Sequence, residues 1–139
     1  MFAIRAEDGA SEPSIVDVER PTPDQDEVLV ELKAASLCGS DLGILSGEIP
    51  PASRPMTLGH EGAGEVVSVG DTIEYVSPGD CVVLNYIISC GNCRQCLQGN
   101  DNRCRRRESL GHSVDGTFAE YIAVPERAVV PMDDAVPYE

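Results

Sequence analysis

Apolar residues recur along the chain in short runs, most with a period of two. EVLVELKAAS at 27–36 alternates apolar and polar positions, as a strand with one buried face does. FAIRA (2–6) and SIVDVE (14–19) flank the polar turn EDGASEP. GAGEVVSVG (62–70) and DCVVLNYII (80–88) are joined through a turn containing SPGD, and FAEYIAV (118–124) and AVVPM (128–132) complete the set. Helical signals are weak. DLGILSG (41–47) has Asp41 near its start and Gly47 as a stop, and CRQCLQG (93–99) has room for one turn more. GEIPPASRPM (47–56) reads as a Pro-rich surface loop. Many short strands between Gly/Pro turns predict a mainly β domain with short helices, folded as a partly open barrel and not as βαβ units.

Composition narrows this picture. The 139 residues are the size of one domain, long enough for an apolar core without help from a metal. Trp is absent and aromatic residues make up 4%, so Val, Ile, Leu and Ala must fill that core. The net charge is −14, from 24 acidic and 10 basic residues, and Lys33 is the one lysine. Such a chain is repelled by nucleic acid and by anionic membranes. Two readings of the acidity stand side by side: an ordinary acidic soluble protein, or adaptation to high salt, where screening relieves self-repulsion. No apolar run approaches a membrane span, and MFAIRAEDGA has no secretory pattern, so a cytoplasmic location is expected. The closing stretch VPMDDAVPYE stops where a new element begins, which reads as a truncation.

Four of the six cysteines cluster as C-G-N-C-R-Q-C-L-Q-G-N-D-N-R-C. Spacings of two, two and seven residues let Cys90, Cys93, Cys96 and Cys104 converge on one ion. Four thiolates around zinc make a closed, structural site, and the lobe so defined covers about 88–108. Paired disulfides are a poor alternative for adjacent C-x2-C pairs without a secretory signal. An iron–sulfur cluster fits the short spacings, but the seven-residue gap and the lack of a following Pro argue against it. Arg94, Arg103, Arg105, Arg106 and Arg107 form the only basic patch and are expected to offset the thiolate charge.

A second constellation is weaker. Cys38 stands in CGSD, and His60, one of two histidines, in GHEGAGEV. Catalytic zinc takes mixed sulfur and nitrogen ligands and keeps one position open. A ligating imidazole needs its other nitrogen anchored, and Asp41 is a candidate. By residue type alone, a lone cysteine such as Cys38 is more often a small core residue, and a lone histidine such as His60 more often a structural one.

The blocks CGSD (38–41), GHEGAGEV (59–66), PGDCVV (78–83), the cysteine lobe (90–104) and GTFAEYIAVP (116–125) stand in an order that resembles the zinc-containing medium-chain dehydrogenase/reductase family. The resemblance is to its GroES-like N-terminal catalytic domain and covers nearly the whole chain. It implies a GroES-like partly open barrel carrying a zinc-binding lobe. It implies that Cys38 and His60 are the first two ligands of a catalytic zinc and that Asp41 supports His60. Glu61 beside the metal coordinates it transiently, and Ser40 hydrogen-bonds the alcohol and starts the proton relay. Cys90, Cys93, Cys96 and Cys104 match the structural zinc lobe. Cys81 matches no ligand and reads as a core residue, and His112 as a surface-loop histidine.

Two departures qualify the resemblance. Many relatives carry a relay histidine where this chain has Gly43. The third catalytic ligand of the family would fall beyond Glu139, and GAGEVV (62–67) lacks the third glycine of a dinucleotide-binding loop. The expected function is therefore the catalytic-domain portion of a zinc-dependent, NAD(P)-linked alcohol or polyol dehydrogenase, with the nucleotide-binding Rossmann domain outside residues 1–139 and the fragment alone inactive. The full-length enzyme is expected to pass hydride from a zinc-bound alkoxide to NAD or NADP, and to be a homo-oligomer. The alternative is a stand-alone zinc-binding GroES-like domain without enzymatic activity.

Overall fold

Strands account for most of the regular structure. The computed structural model describes residues 1–133 and 135–138, so Asp134 and Glu139, the last residue of the sequence, lie outside the described residues. In chain order the strands and the helix are β1 (Phe2–Ala6), β2 (Pro13–Asp17), β3 (Glu27–Ser36), α1 (Gly39–Ser46), β4 (Met56–Thr57) and β5 (Glu61–Val69). They are followed by β6 (Cys81–Leu84), β7 (Ile87–Ile88), β8 (Glu108–Ser109), β9 (Tyr121–Pro125) and β10 (Val129–Pro131). Short 3-10 turns occupy Cys96–Gln98, Asp101–Arg103 and Glu126–Ala128. None of the described helices is long and apolar enough to cross a membrane.

The main sheet has the order β10-β6-β5-β3-β9, and a smaller one runs β2-β1-β4. Every pairing in them is antiparallel. Residues 117–120 stitch the two together. Phe118 N–H donates to Leu58 O, Ile4 N–H donates to Phe118 O, and Ala3 bridges Ala119. The result is a curled half-barrel, the mainly β architecture that the alternating runs predict.

β3 is the hub, lying between β5 and β9. Its register with β5 shifts twice, leaving Val67 and Lys33 without opposite partners. Each extra residue bends and twists the pair, as barrel curvature requires. Val28, Val30, Val66, Val82, Ile122 and Val124 pack as one buried cluster between these strands. Ala6, Ile44 and Leu58 form a second cluster, which seats α1 against β1 and the segment leading to His60. β-Branched and aliphatic side chains thus fill the core in place of aromatics.

Several boundaries differ from the sequence expectation. The run 80–88 is two strands, because Asn85 turns its N–H to Ala128 O and its side-chain oxygen to Ile87 N–H. The run 118–124 becomes β9 only from Tyr121, since the residues before it form the stitch to β1 and Leu58. The Pro-rich loop ends in β4, whose Met56 and Thr57 pair with Ala6 and Arg5. CRQCLQG folds as a single 3-10 turn, Cys96–Gln98, inside the cysteine lobe. Cys81 is half-buried on β6 and lies outside the core cluster.

Candidate metal centres

The cysteine lobe brings four sulfurs into one knot. Cys90 Sγ lies 3.4 Å from Cys104 Sγ and 3.9 Å from Cys96 Sγ. Cys93 Sγ lies 3.5 Å from Cys96 Sγ and 3.9 Å from Cys104 Sγ. A tetrahedron with zinc–sulfur bonds of about 2.3 Å has its sulfurs about 3.8 Å apart, so the donor set fits that ion. The same separations are far beyond a disulfide bond, and all six cysteines are unpaired.

The local backbone builds this knot. Tight turns place Cys90 N–H against Cys104 Sγ at 3.5 Å, and the Asn92 N–H helps to hold the Cys90 thiol down to about 6. The Cys96 N–H lowers the Cys93 thiol, whereas burial pushes Cys96 up to about 12. Of the five arginines, Arg106 is the one that reaches the sulfurs, donating to Cys90 Sγ at 3.3 Å and to Asn92 Oδ1. Arg94, Arg103, Arg105 and Arg107 are exposed and make no ion pair among the described residues. The expected offset of thiolate charge therefore falls on one arginine. Outside the lobe, Arg127 ties in through Ser89 O, a contact that the sequence pattern does not announce.

The second cluster forms where α1 meets the start of β5. Donor atoms of Cys38, His60 and Glu61 all lie within 4.8 Å of one another. Cys38 directly precedes α1, and its N–H donates to Asp41 Oδ2 at 2.9 Å. The other oxygen of Asp41 accepts Gly59 N–H at 3.2 Å and lies 3.5 Å from His60 Nδ1. Asp41 is fully buried, so one carboxylate fixes both segments that carry the cluster. With Nδ1 facing Asp41, the ring turns Nε2 toward Ser40 Oγ at 3.4 Å and Glu61 Oε1 at 4.0 Å. Sulfur, imidazole and carboxylate form a mixed donor set suited to a zinc that keeps an open position. The Ser40 hydroxyl and N–H beside Cys38 hold its thiol below the ordinary value.

Glycine is required just before His60. Gly59 has φ +90°, and a Cβ there would sit 2.5 Å from Phe118 Cδ1. At Gly43 a Cβ would lie 2.8 Å from Ile49 Cδ1, so Ile49 fills the space in which a side chain at 43 would begin.

Two cavities, of about 620 and 260 Å³, share His60 and Tyr86 in their walls. Tyr86 packs edge-on to His60, with ring centroids 5.8 Å apart. The larger cavity also carries Tyr138, whose hydroxyl donates to Gly64 O. The smaller one carries His112. His112 is a half-buried wall residue, where the sequence suggested only a surface loop. Tyr86 and His112 were not legible as site residues, because β7, β8 and the turn after β8 bring them to His60 across long sequence separations.

A half-barrel with this cluster beside α1 and a four-cysteine lobe is the arrangement that the family resemblance implies. The sequence pattern of the alcohol dehydrogenase GroES-like domain matches residues 24–134, and the chain belongs to that family. An L-threonine 3-dehydrogenase from Caldanaerobacter subterraneus subsp. tengcongensis is 44% identical over 128 residues, which are 90% of this chain and 37% of that protein. Alcohol dehydrogenase B from Mycobacterium tuberculosis is 37% identical over 91% of this chain and 39% of its own length. The solved structure of an NAD-dependent alcohol dehydrogenase superposes with a TM-score of 0.92 at 39% identity, covering all of this chain and 41% of that one. The chain thus spans about two fifths of the length of these relatives.

Proposed function

We propose that this chain is the catalytic-domain portion of a zinc-dependent, NAD(P)-linked alcohol or polyol dehydrogenase. The observation that carries the reading is the convergence of Cys38, His60 and Glu61 within 4.8 Å, backed by buried Asp41. Cys38 and His60 would hold the catalytic zinc, with Glu61 beside it and a further ligand expected beyond Glu139. Cys90, Cys93, Cys96 and Cys104 would hold a structural zinc. The chemistry zinc supplies at the first site is Lewis-acid polarisation of an alcohol oxygen.

The residues of the chain divide the remaining work. Asp41, 3.5 Å from His60 Nδ1, faces that side of the ring and leaves the Nε2 lone pair for the metal. Ser40, 3.4 Å from that nitrogen, is placed to accept the alcohol proton and pass it on. Ile49 fills the space in which a side chain at position 43 would begin, so the proton would leave Ser40 through water or another group. The side chain of Glu61 is half exposed and has room to approach or leave the ligand position. Hydride acceptance belongs to a nicotinamide, and the unpaired thiols fit the reducing cytoplasm.

The test is ligand access on the cobalt-loaded chain. Added free imidazole should shift the visible bands of the cobalt held by Cys38 and His60 while leaving the four-sulfur bands unchanged. Bands that ignore imidazole at both sites would mean two closed, structural metals and no place for a substrate.

A further inference from the structure

His112 is the second of the chain's two histidines, and the proposed reaction gives it no task. It lines the cavity of about 260 Å³ that also contains Ser40 and His60. The walls of that cavity differ in character. Ile44 of α1 and Ile49 beyond it are apolar, whereas β8 contributes Ser109 and the turn after it His112.

The ring is carried on a rigid mount. His112 N–H donates to Ser109 O at 3.2 Å, and its carbonyl accepts Ala52 N–H at 2.8 Å. The preceding Gly111 has φ +69°, and a Cβ there would lie 2.5 Å from Gly59 O. The turn is therefore packed on Gly59, the residue next to His60. Among the described residues the His112 ring has no hydrogen-bond or ionic partner. An imidazole without a partner, on a residue that lines a cavity beside the proposed reacting position, has donor and acceptor capacity to offer a ligand.

We propose that His112 is a specificity-determining residue, which hydrogen-bonds a second hydroxyl of the substrate and so selects small polyols over simple alkanols. A hydroxyl both donates and accepts, so either tautomer of the neutral ring satisfies it. An alkanol bound in the same place leaves the imidazole unpaired in a partly desolvated wall, and that penalty is the source of discrimination. The inference rests on the dehydrogenase reading, because the reacting hydroxyl must sit at Ser40 and His60.

Having two histidines makes the test direct, since the proton–carbon spectrum of the zinc-loaded chain holds only two imidazole Cε1–H signals, one from each ring. These are followed during titration with glycerol and with propan-1-ol, and assigned by His112→Gln and His112→Phe. Both alcohols should move the His60 signal, but only glycerol should move that of His112, with a midpoint lower than that of propan-1-ol by about tenfold. His112→Phe should abolish that preference, with glycerol binding weakened, propan-1-ol binding as tight as before or tighter because no imidazole is left unpaired, and zinc content unchanged. His112→Gln, which keeps a donor and an acceptor, should retain most of it. Equal glycerol midpoints in the wild type and His112→Phe, with His60 still responding, would overturn the role of His112 and leave the alcohol site standing. Silence of both signals toward both alcohols would overturn the alcohol site and this inference together.

Discussion

Asp41 Oδ1 lies 3.5 Å from His60 Nδ1, on the far side of the ring from Ser40 and Glu61. The same carboxylate accepts the N–H groups of Cys38 and Gly59. One buried side chain therefore sets both the position and the ring orientation of the two principal donors.

Asp41→Asn should damage that arrangement while nearly preserving shape. One side-chain oxygen becomes a donor facing N–H groups, so the buried contacts cannot all be kept. Zinc affinity at Cys38 and His60 should fall by about 10- to 100-fold. Stability should fall by about 1–3 kcal/mol. Competition with a chelating indicator and urea unfolding check the two effects, and an unchanged second-site affinity would show that Asp41 does not position His60.

Cys93→Ser should act locally. The quartet loses one of four sulfurs, and the residues held mainly by that ion are those of the lobe. Amide exchange should accelerate across 90–104, while Val28, Val30, Val66 and Val124 of the buried cluster keep their protection. Loss of protection in β3 and β5 as well would mean that the lobe supports the barrel.

Arg106→Ala should weaken metal binding at the quartet, because Arg106 donates to Cys90 Sγ and to Asn92. The expected loss is about tenfold or more in affinity. Arg103→Ala should have no comparable effect, since Arg103 makes no ion pair among the described residues. Equal losses in the two variants, measured by zinc competition, would show that overall positive charge is what matters.

Gly59→Ala should destabilise the fold more than any of these changes. Its φ of +90° disfavours a side chain, and the new Cβ would meet Phe118 Cδ1 at 2.5 Å. A cost of about 2–4 kcal/mol is expected, read as a lower urea midpoint with an unchanged slope. A shift near zero would show that the Phe118 contact yields freely.

Much of this was legible in the residue pattern, and what was not shares a physical reason. β1 and β3 follow their alternating runs to the residue, because β1 pairs with β2 from end to end and β3 is held by β5 and β9 at every residue but Lys33. The quartet was visible because its donors are close in sequence and its residue types are chemically narrow. Cys38 and His60 were visible mainly through family resemblance, since lone residues at long separation carry little signal. β4 and β8, each two residues long, have no period to detect and exist only through partners elsewhere in the chain. The positions of Arg106, Tyr86 and His112 depend on those turns and short pairings, which alternation does not encode.

Cobalt titration of the metal-stripped chain, repeated on Cys38→Ser and Cys93→Ser, tests most directly whether two chemically different metal centres exist. The first equivalent should give intense four-sulfur charge-transfer bands. A second, weaker equivalent should give the spectrum of one sulfur with nitrogen and oxygen donors. Cys38→Ser should lose only the second spectrum, and Cys93→Ser should alter only the first. A single equivalent unaffected by Cys38→Ser would contradict the assignment of Cys38 and His60 as the reactive centre.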